Sequence, residues 1–180
     1  MKLRLDGTGL RRMPAVIILA ASAMMLGGCG ILFQDHDKRA SAVLQPSGGN
    51  ATHGSVTLIE RSDGVQVTYN LSGMPPDSDH ALQIHERGDC IVGSLPDTGE
   101  VFAPASEHTT SASKMEGDLA TIHADANGSA TGFIVAPDVS LDGVRSVLSR
   151  AIILHRDAAD HYSFVPHGAG PALACGVIHQ

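Results

Sequence analysis

Tryptophan is absent from this chain of 180 residues, and two tyrosines and four phenylalanines complete its Phe/Tyr/Trp content. Any β-type run must therefore be recognised from aliphatic and threonine alternation. Basic residues are also scarce: 12 Lys and Arg stand against 19 Asp and Glu, a formal charge of −7. With no basic stripe to neutralise phosphates, nucleic acid is excluded as a partner. No hydrophobic run is long enough to span a bilayer. The run from Ala15 to Leu26 is about half the length a spanning helix needs, which argues against a permanent anchor. Repeats, heptads, phosphate loops, paired-carboxylate motifs and nucleophile–base sets are missing too.

What is present at the start is an export signal. Lys2, Arg4, Arg11 and Arg12 precede the apolar run, and Leu26-Gly27-Gly28-Cys29 follows it. Residues 1–28 read as a lipoprotein signal peptide, with Cys29 becoming the lipidated N-terminus. An ordinary secretory signal with an incidental cysteine is the other reading. Gly30 follows the cysteine where an aspartate would argue for inner-membrane retention, so the expected address is the periplasmic face of the outer membrane. Residues 29–39, with the charged run Asp35-His36-Asp37-Lys38-Arg39, read as lipidated terminus and solvated tether, and residues 40–180 as one domain.

Removing residues 1–28 takes four of the basic residues and one acid, leaving a formal charge of −10 on the mature chain. Three cysteines are present. With Cys29 occupied by lipid, Cys90 and Cys175 remain in an oxidising compartment and are expected to pair, with two buried thiols as the alternative.

Short β-type runs recur along the domain: Ala40 to Pro46, Gly54 to Arg61, Val65 to Ser72, His80 to His85, Leu119 to Ala124, Ala130 to Val135, Ala151 to His155 and Ala174 to Ile178. Val65-Gln66-Val67-Thr68-Tyr69-Asn70-Leu71 alternates apolar and polar, the period of a sheet with one buried face. Ser62-Asp63-Gly64 supplies a turn before it. Ala126-Asn127-Gly128 predicts a hairpin between the fifth and sixth runs. Leu141 to Ser149 is a short helix or a turn. Two long loops, Glu86 to Asp118 and Arg156 to Ala172, are rich in Gly, Pro, Ser and acid, and long loops in a compact β domain are usually functional. The count predicts an all-β, eight-stranded Greek-key barrel or sandwich.

Four segments carry a family resemblance in order and spacing. His80-Ala81-Leu82-Gln83-Ile84-His85-Glu86-Arg87-Gly88-Asp89-Cys90 resembles the His-Gly-Phe-His-x-His-Glu-x-Gly-Asp-Cys of the bacterial Cu/Zn superoxide dismutases. Gly117-Asp118-Leu119 resembles the end of their zinc loop, Ile153-Leu154-His155 the strand ending in the last copper histidine, and Ala174-Cys175-Gly176-Val177-Ile178 the disulfide strand. The resemblance covers residues 40–180. It implies the Greek-key barrel, a copper held by four histidines of which one bridges to zinc, and dismutation of superoxide.

The chain departs from that pattern at the metals. His85 and His155 occupy two copper positions. Gln83 stands where the first histidine of His-x-His belongs. Within Gly99-Glu100-Val101-Phe102-Ala103-Pro104, Val101 falls on the bridging histidine of Gly-Gly-His-Phe-Asn-Pro. Met115 falls on a zinc histidine, leaving Asp118 and, with a one-residue shift, His108 as a zinc remnant too small for the four ligands zinc prefers. Ala172 replaces the arginine that draws superoxide inward. Asp160, in Asp160-His161-Tyr162-Ser163, stands one residue beyond the position of the aspartate that links the two metal sites.

Several residues have plainer readings. His80 occupies a family histidine that is not a ligand and reads as structural. Met74 and Met115 are soft thioethers, more simply packing than ligands. The remaining histidines, His36, His53, His123, His161, His167 and His179, have no ligand spacing. The expectation is a dismutase-like lipoprotein that has lost rapid dismutation. It would retain copper at His85 and His155, with the Gln83 amide as a weak addition, or a structural or binding role toward an unnamed protein or small molecule, without zinc. The alternative is a copper-only superoxide dismutase that recruits Gln83, His108 or His161.

Overall fold

Eight strands, all paired antiparallel, wrap into a nearly closed barrel in this computed structural model, which describes residues 38–91, 96–104, 115–160 and 168–180. The strands are β1 Arg39–Pro46, β2 His53–Arg61, β3 Gly64–Ser72, β4 Asp79–His85, β5 Asp118–His123, β6 Ala130–Ala136, β7 Ala151–His155 and β8 Ala172–Val177. Their spatial order is β5-β4-β7-β8-β1-β2-β3-β6. The chain runs β1-β2-β3 as a meander and then crosses to β4, next to the far edge strand β5, a Greek-key path. Cys29, His36, His108, His161 and His167 lie outside the described residues.

Alternation decides which face each strand buries. In β1, Ala40, Ala42 and Leu44 are buried while Ser41, Val43 and Gln45 are exposed. In β3, Val65, Val67 and Leu71 do the same, as the period-2 reading expects. Arg61 pairs with Gly64, so Ser62-Asp63 closes the β2–β3 hairpin, and Gly64 takes φ 129°, open to glycine and costly for other residues.

The predicted β5–β6 hairpin does not form as a ladder. β5 pairs with β4 and β6 with β3. The turn itself is made: Gly128 N–H donates to the Asp125 carbonyl at 2.9 Å, and the Asp125 side chain accepts from the backbone of Asn127 and Ser129. The backbones of Met74 and Gly128 then meet, Met74 N–H donating to the Gly128 carbonyl at 3.0 Å. The long-range partners on β3 and β4 override the local pairing that Asn-Gly favours. The Leu141–Ser149 segment resolves into a single 3-10 turn, Gly143–Arg145.

β4, β7 and β8 break the alternation because both of their faces are covered. Inward, Leu82, Ile84, Ile152 and Leu154 join the barrel core. Outward, Ala151, Ile153, Ala172 and Cys175 form a second buried cluster against Cys90. Cys90 and Cys175 are joined, with Cα atoms 5.6 Å apart and a sequence separation of 85. The bridge fastens the segment after β4 to β8, over the face that carries the candidate site.

Candidate metal centre

His85 ends β4 and His155 ends β7, both on the outward face. In the β4–β7 register His85 lies opposite Ala151, four residues from His155, and the side chains cover that offset until their Nε2 atoms are 3.2 Å apart. The rings are tilted at 30° with centroids 5.3 Å apart. Each is fixed from behind by a loop glycine. His85 Nδ1 lies 2.8 Å from the Gly99 carbonyl, and His155 Nδ1 lies 2.9 Å from the Gly170 carbonyl.

A carbonyl only accepts, so each Nδ1 carries the proton and each neutral ring turns its Nε2 lone pair toward the other. Burial keeps both rings neutral. It pulls His155 down to about 4 and lowers His85 in the same direction, outweighing the carbonyl bonds that favour their charged forms. A hydrogen bond between the two Nε2 atoms would need a second proton on one ring, which burial opposes. The pair is therefore two nitrogen donors converging on one point, each braced through the opposite nitrogen by a backbone carbonyl, the support that metal-binding histidines generally have. Imidazole suits copper, and the donor set fits a copper ion held by two ligands.

The other family positions add no described ligand. Val101, 7% exposed, forms an isolated bridge with His85 and puts an apolar side chain beside it. Ala172 lies opposite His155 in the β7–β8 register and lines the same cleft. Gln83 is buried and its amide nitrogen donates to Asp118 Oδ1 at 2.5 Å. A register shift between Leu82 and Gln83 brings Gln83 level with Asp118 on β5. Two positions assigned separately, one to copper and one to zinc, thus hold each other, and they line a cavity between β4 and β5 distinct from the cleft over His85 and His155. Sequence reasoning missed this pairing because a bulge leaves no residue signature of its own.

Among the described residues, no three His, Cys, Asp or Glu side chains gather in a metal-binding group. Asp160 is placed by a bridge between its backbone and Gly168. His80 is fully buried, with Nδ1 donating to the His155 carbonyl at 3.0 Å and Nε2 2.7 Å from Ser78 Oγ, a structural tie between β7 and the turn before β4.

Above the two rings lies an open cleft of roughly 600 Å³, lined in part by Glu86, Arg87, Asp97, Glu100, Ile153 and Ala172. The site is thus a buried imidazole pair on the outer wall of a Greek-key barrel, under an open cleft. The copper/zinc superoxide dismutase family model matches residues 52–178. The Cu-Zn superoxide dismutase of Caulobacter vibrioides is 36% identical over 176 residues, covering 88% of this chain and 97% of that protein. That of Candida glabrata is 36% identical over 152 residues, covering 78% and 96%. The crystal structure of a double mutant of a SOD-like protein from Bacillus subtilis superposes with a TM-score of 0.68 at 25% identity, covering 78% of this chain and 97% of that one. The chain belongs to the copper/zinc superoxide dismutase family.

Proposed function

We propose that this chain is a cell-envelope member of the family that holds copper between His85 and His155 and has given up rapid dismutation. The observation that carries the reading is the Nε2–Nε2 separation of 3.2 Å between two neutral rings, each braced by a backbone carbonyl. Copper bound there would supply one-electron redox chemistry. His85 and His155 hold the ion, the Gly99 and Gly170 carbonyls orient the rings, and Ile153 and Ala172 keep the base of the cleft apolar. Gln83, Val101 and Ala172 replace a copper ligand, the bridging ligand and the guidance arginine. Fast turnover therefore loses half its copper ligands and its attraction for the anionic substrate together. Zinc has no place in this reading. Lipid on Cys29 would tether the domain at the periplasmic face of the outer membrane.

The test is reconstitution with Cu(II) or Cu(I) followed by metal counting. Stoichiometric copper that disappears in His85→Ala and in His155→Ala supports the site, and unchanged affinity in both variants sinks it. A second reading, a copper-only superoxide dismutase with a rearranged ligand set, is favoured by the activity named for the Caulobacter vibrioides relative. It requires fast superoxide consumption by the copper-loaded protein.

A further inference from the structure

On a chain with a formal charge of −7, the outer face of β1, β2, β3 and β6 carries no charge across its middle. The strand registers set its outward side chains in rows. Ser41, Thr57, Thr68 and Phe133 form the central row. Val43, Ser55, Asn70 and Thr131 flank it on one side. Ile59, Gln66 and Val135 flank it on the other, where Arg39 closes the corner. The polar groups bond within the face, Gln66 Nε2 donating to Thr68 Oγ1 at 3.3 Å and Thr131 Oγ1 to Asn70 Oδ1 at 3.4 Å. Beyond β1 the surface continues into a groove of roughly 290 Å³ over the Cys90–Cys175 bridge, whose described lining contains no Asp, Glu, Lys or Arg. Ser41 and Val43 belong to both the face and the groove, and Ile91 and Val177 form the groove's further wall. Among the described residues, the large exposed hydrophobics are Val43, Ile91, Phe133, Val135 and Val144, and only Val144 stands apart from this surface. Single exposed hydrophobics need no explanation, whereas a gathering of them on one face does.

Charge and shape together say what covers it. Two copies of an acidic chain repel wherever their charged surfaces meet, and this face lets them approach without setting like charges opposite one another. It is also self-complementary. Phe133, 65% exposed, is a knob at one edge of the face, and the groove is a hole at the other. A two-fold axis lying in the contact plane, along the strands between β2 and β3, lays β6 of each copy over β1 of the other. The register then carries Phe133 to Ser41, on the wall of the groove, and the same operation seats the second Phe133 in the first copy's groove. Four strands spaced about 4.8 Å apart, each presenting about seven residues at ~3.4 Å, give roughly 450 Å² in projection. The groove extends this toward the ~800 Å² per partner of a specific dimer. We infer that this face joins two copies of the chain, the Phe133 ring of each entering the groove over the other's Cys90–Cys175 bridge. The groove and the cleft over His85 and His155 share no lining residue, so pairing and metal binding are separable.

The experiment is sedimentation equilibrium of the full chain in a density-matched nonionic detergent over the micromolar range. Wild type should show a monomer–dimer equilibrium. Burying one phenylalanine ring is worth about tenfold or more in association, and the contact occurs twice per dimer. F133S, which removes the ring and adds no charge, should therefore weaken the dimer by about a hundredfold. F133D and I91D, which place a carboxylate on the knob and on the groove wall, should weaken it at least as much. V144D makes the same change away from the face and should leave the equilibrium at its wild-type position. Raising the salt from about 0.01 M to about 0.15 M shortens the screening length from ~30 Å to ~8 Å. That should strengthen the dimer, because the repulsion left between two acidic copies is what salt removes. A wild type that stays monomeric overturns the inference. So does a dimer that survives F133S or I91D, one that is lost equally in V144D, or one that weakens as salt rises.

Discussion

Lowering the pH should destabilise the metal-free protein through His155 in a window set by its burial. An ordinary histidine titrates near 6.5, whereas burial holds folded His155 at about 4. Between those values the unfolded chain takes a proton that the folded chain refuses. The folded value is depressed, so the contribution is fully present above about pH 6.5 and is lost progressively as the pH falls toward 4. The difference corresponds to at most about 3 kcal/mol. His85, lowered in the same direction by the same cause, acts with it. For a chain of this size, that loss lowers Tm by about 6 to 12 °C. The assay is thermal unfolding followed by circular dichroism, in chelator, from about pH 7.5 to about pH 4, comparing wild type with H155Q. The carboxylates titrate in both proteins and cancel in the difference. Wild type should lose stability relative to H155Q as the pH drops through the window. A Tm difference that does not change with pH would refute the claim that the folded site keeps His155 neutral.

Other consequences follow from the packing. Removing the Cys90–Cys175 bridge, which spans 85 positions, should cost about 4–5 kcal/mol in denaturant unfolding of C90A/C175A if chain entropy dominates; a change below about 1 kcal/mol would mean that the native fold strains against the bridge. Leu154→Ala removes a side chain with no exposure from the barrel core and should cost about 2–5 kcal/mol, read from the urea midpoint at constant m. Gly128→Ala should cost more than the usual effect of about 1 kcal/mol, because Gly128 sits at φ 71° and a Cβ there would come 2.1 Å from the Met74 carbonyl oxygen. Retention of wild-type Tm would place the β5–β6 turn elsewhere.

Much of the barrel was legible because its signal is local. The alternation in Val65 to Leu71 marks β3 directly, and all eight expected runs coincide with observed strands to within two residues. The β5–β6 pairing was misread for the complementary reason. Asn127-Gly128 specifies a turn, while strand partners are chosen by non-local packing that no short window contains. At the site, the positions of His85 and His155 at two strand ends followed from the family resemblance, and the Cys90–Cys175 pair from the cysteine count. Two features were not legible: the Gln83–Asp118 hydrogen bond, and the Gly99 and Gly170 carbonyls behind the rings. Each depends on a bulge or on a loop folding back over the outer face of β4 and β7.

The central claim is that the imidazole pair binds copper without sustaining fast dismutation. It is tested most directly by following superoxide decay, generated by pulse radiolysis, in the presence of the protein loaded with counted copper. The account predicts stoichiometric copper, lost in His155→Ala, and superoxide decay close to the rate without protein. Decay near the diffusional limit of about 10⁸–10⁹ M⁻¹s⁻¹ from the copper-loaded wild type would contradict it and establish the rearranged copper-only enzyme instead.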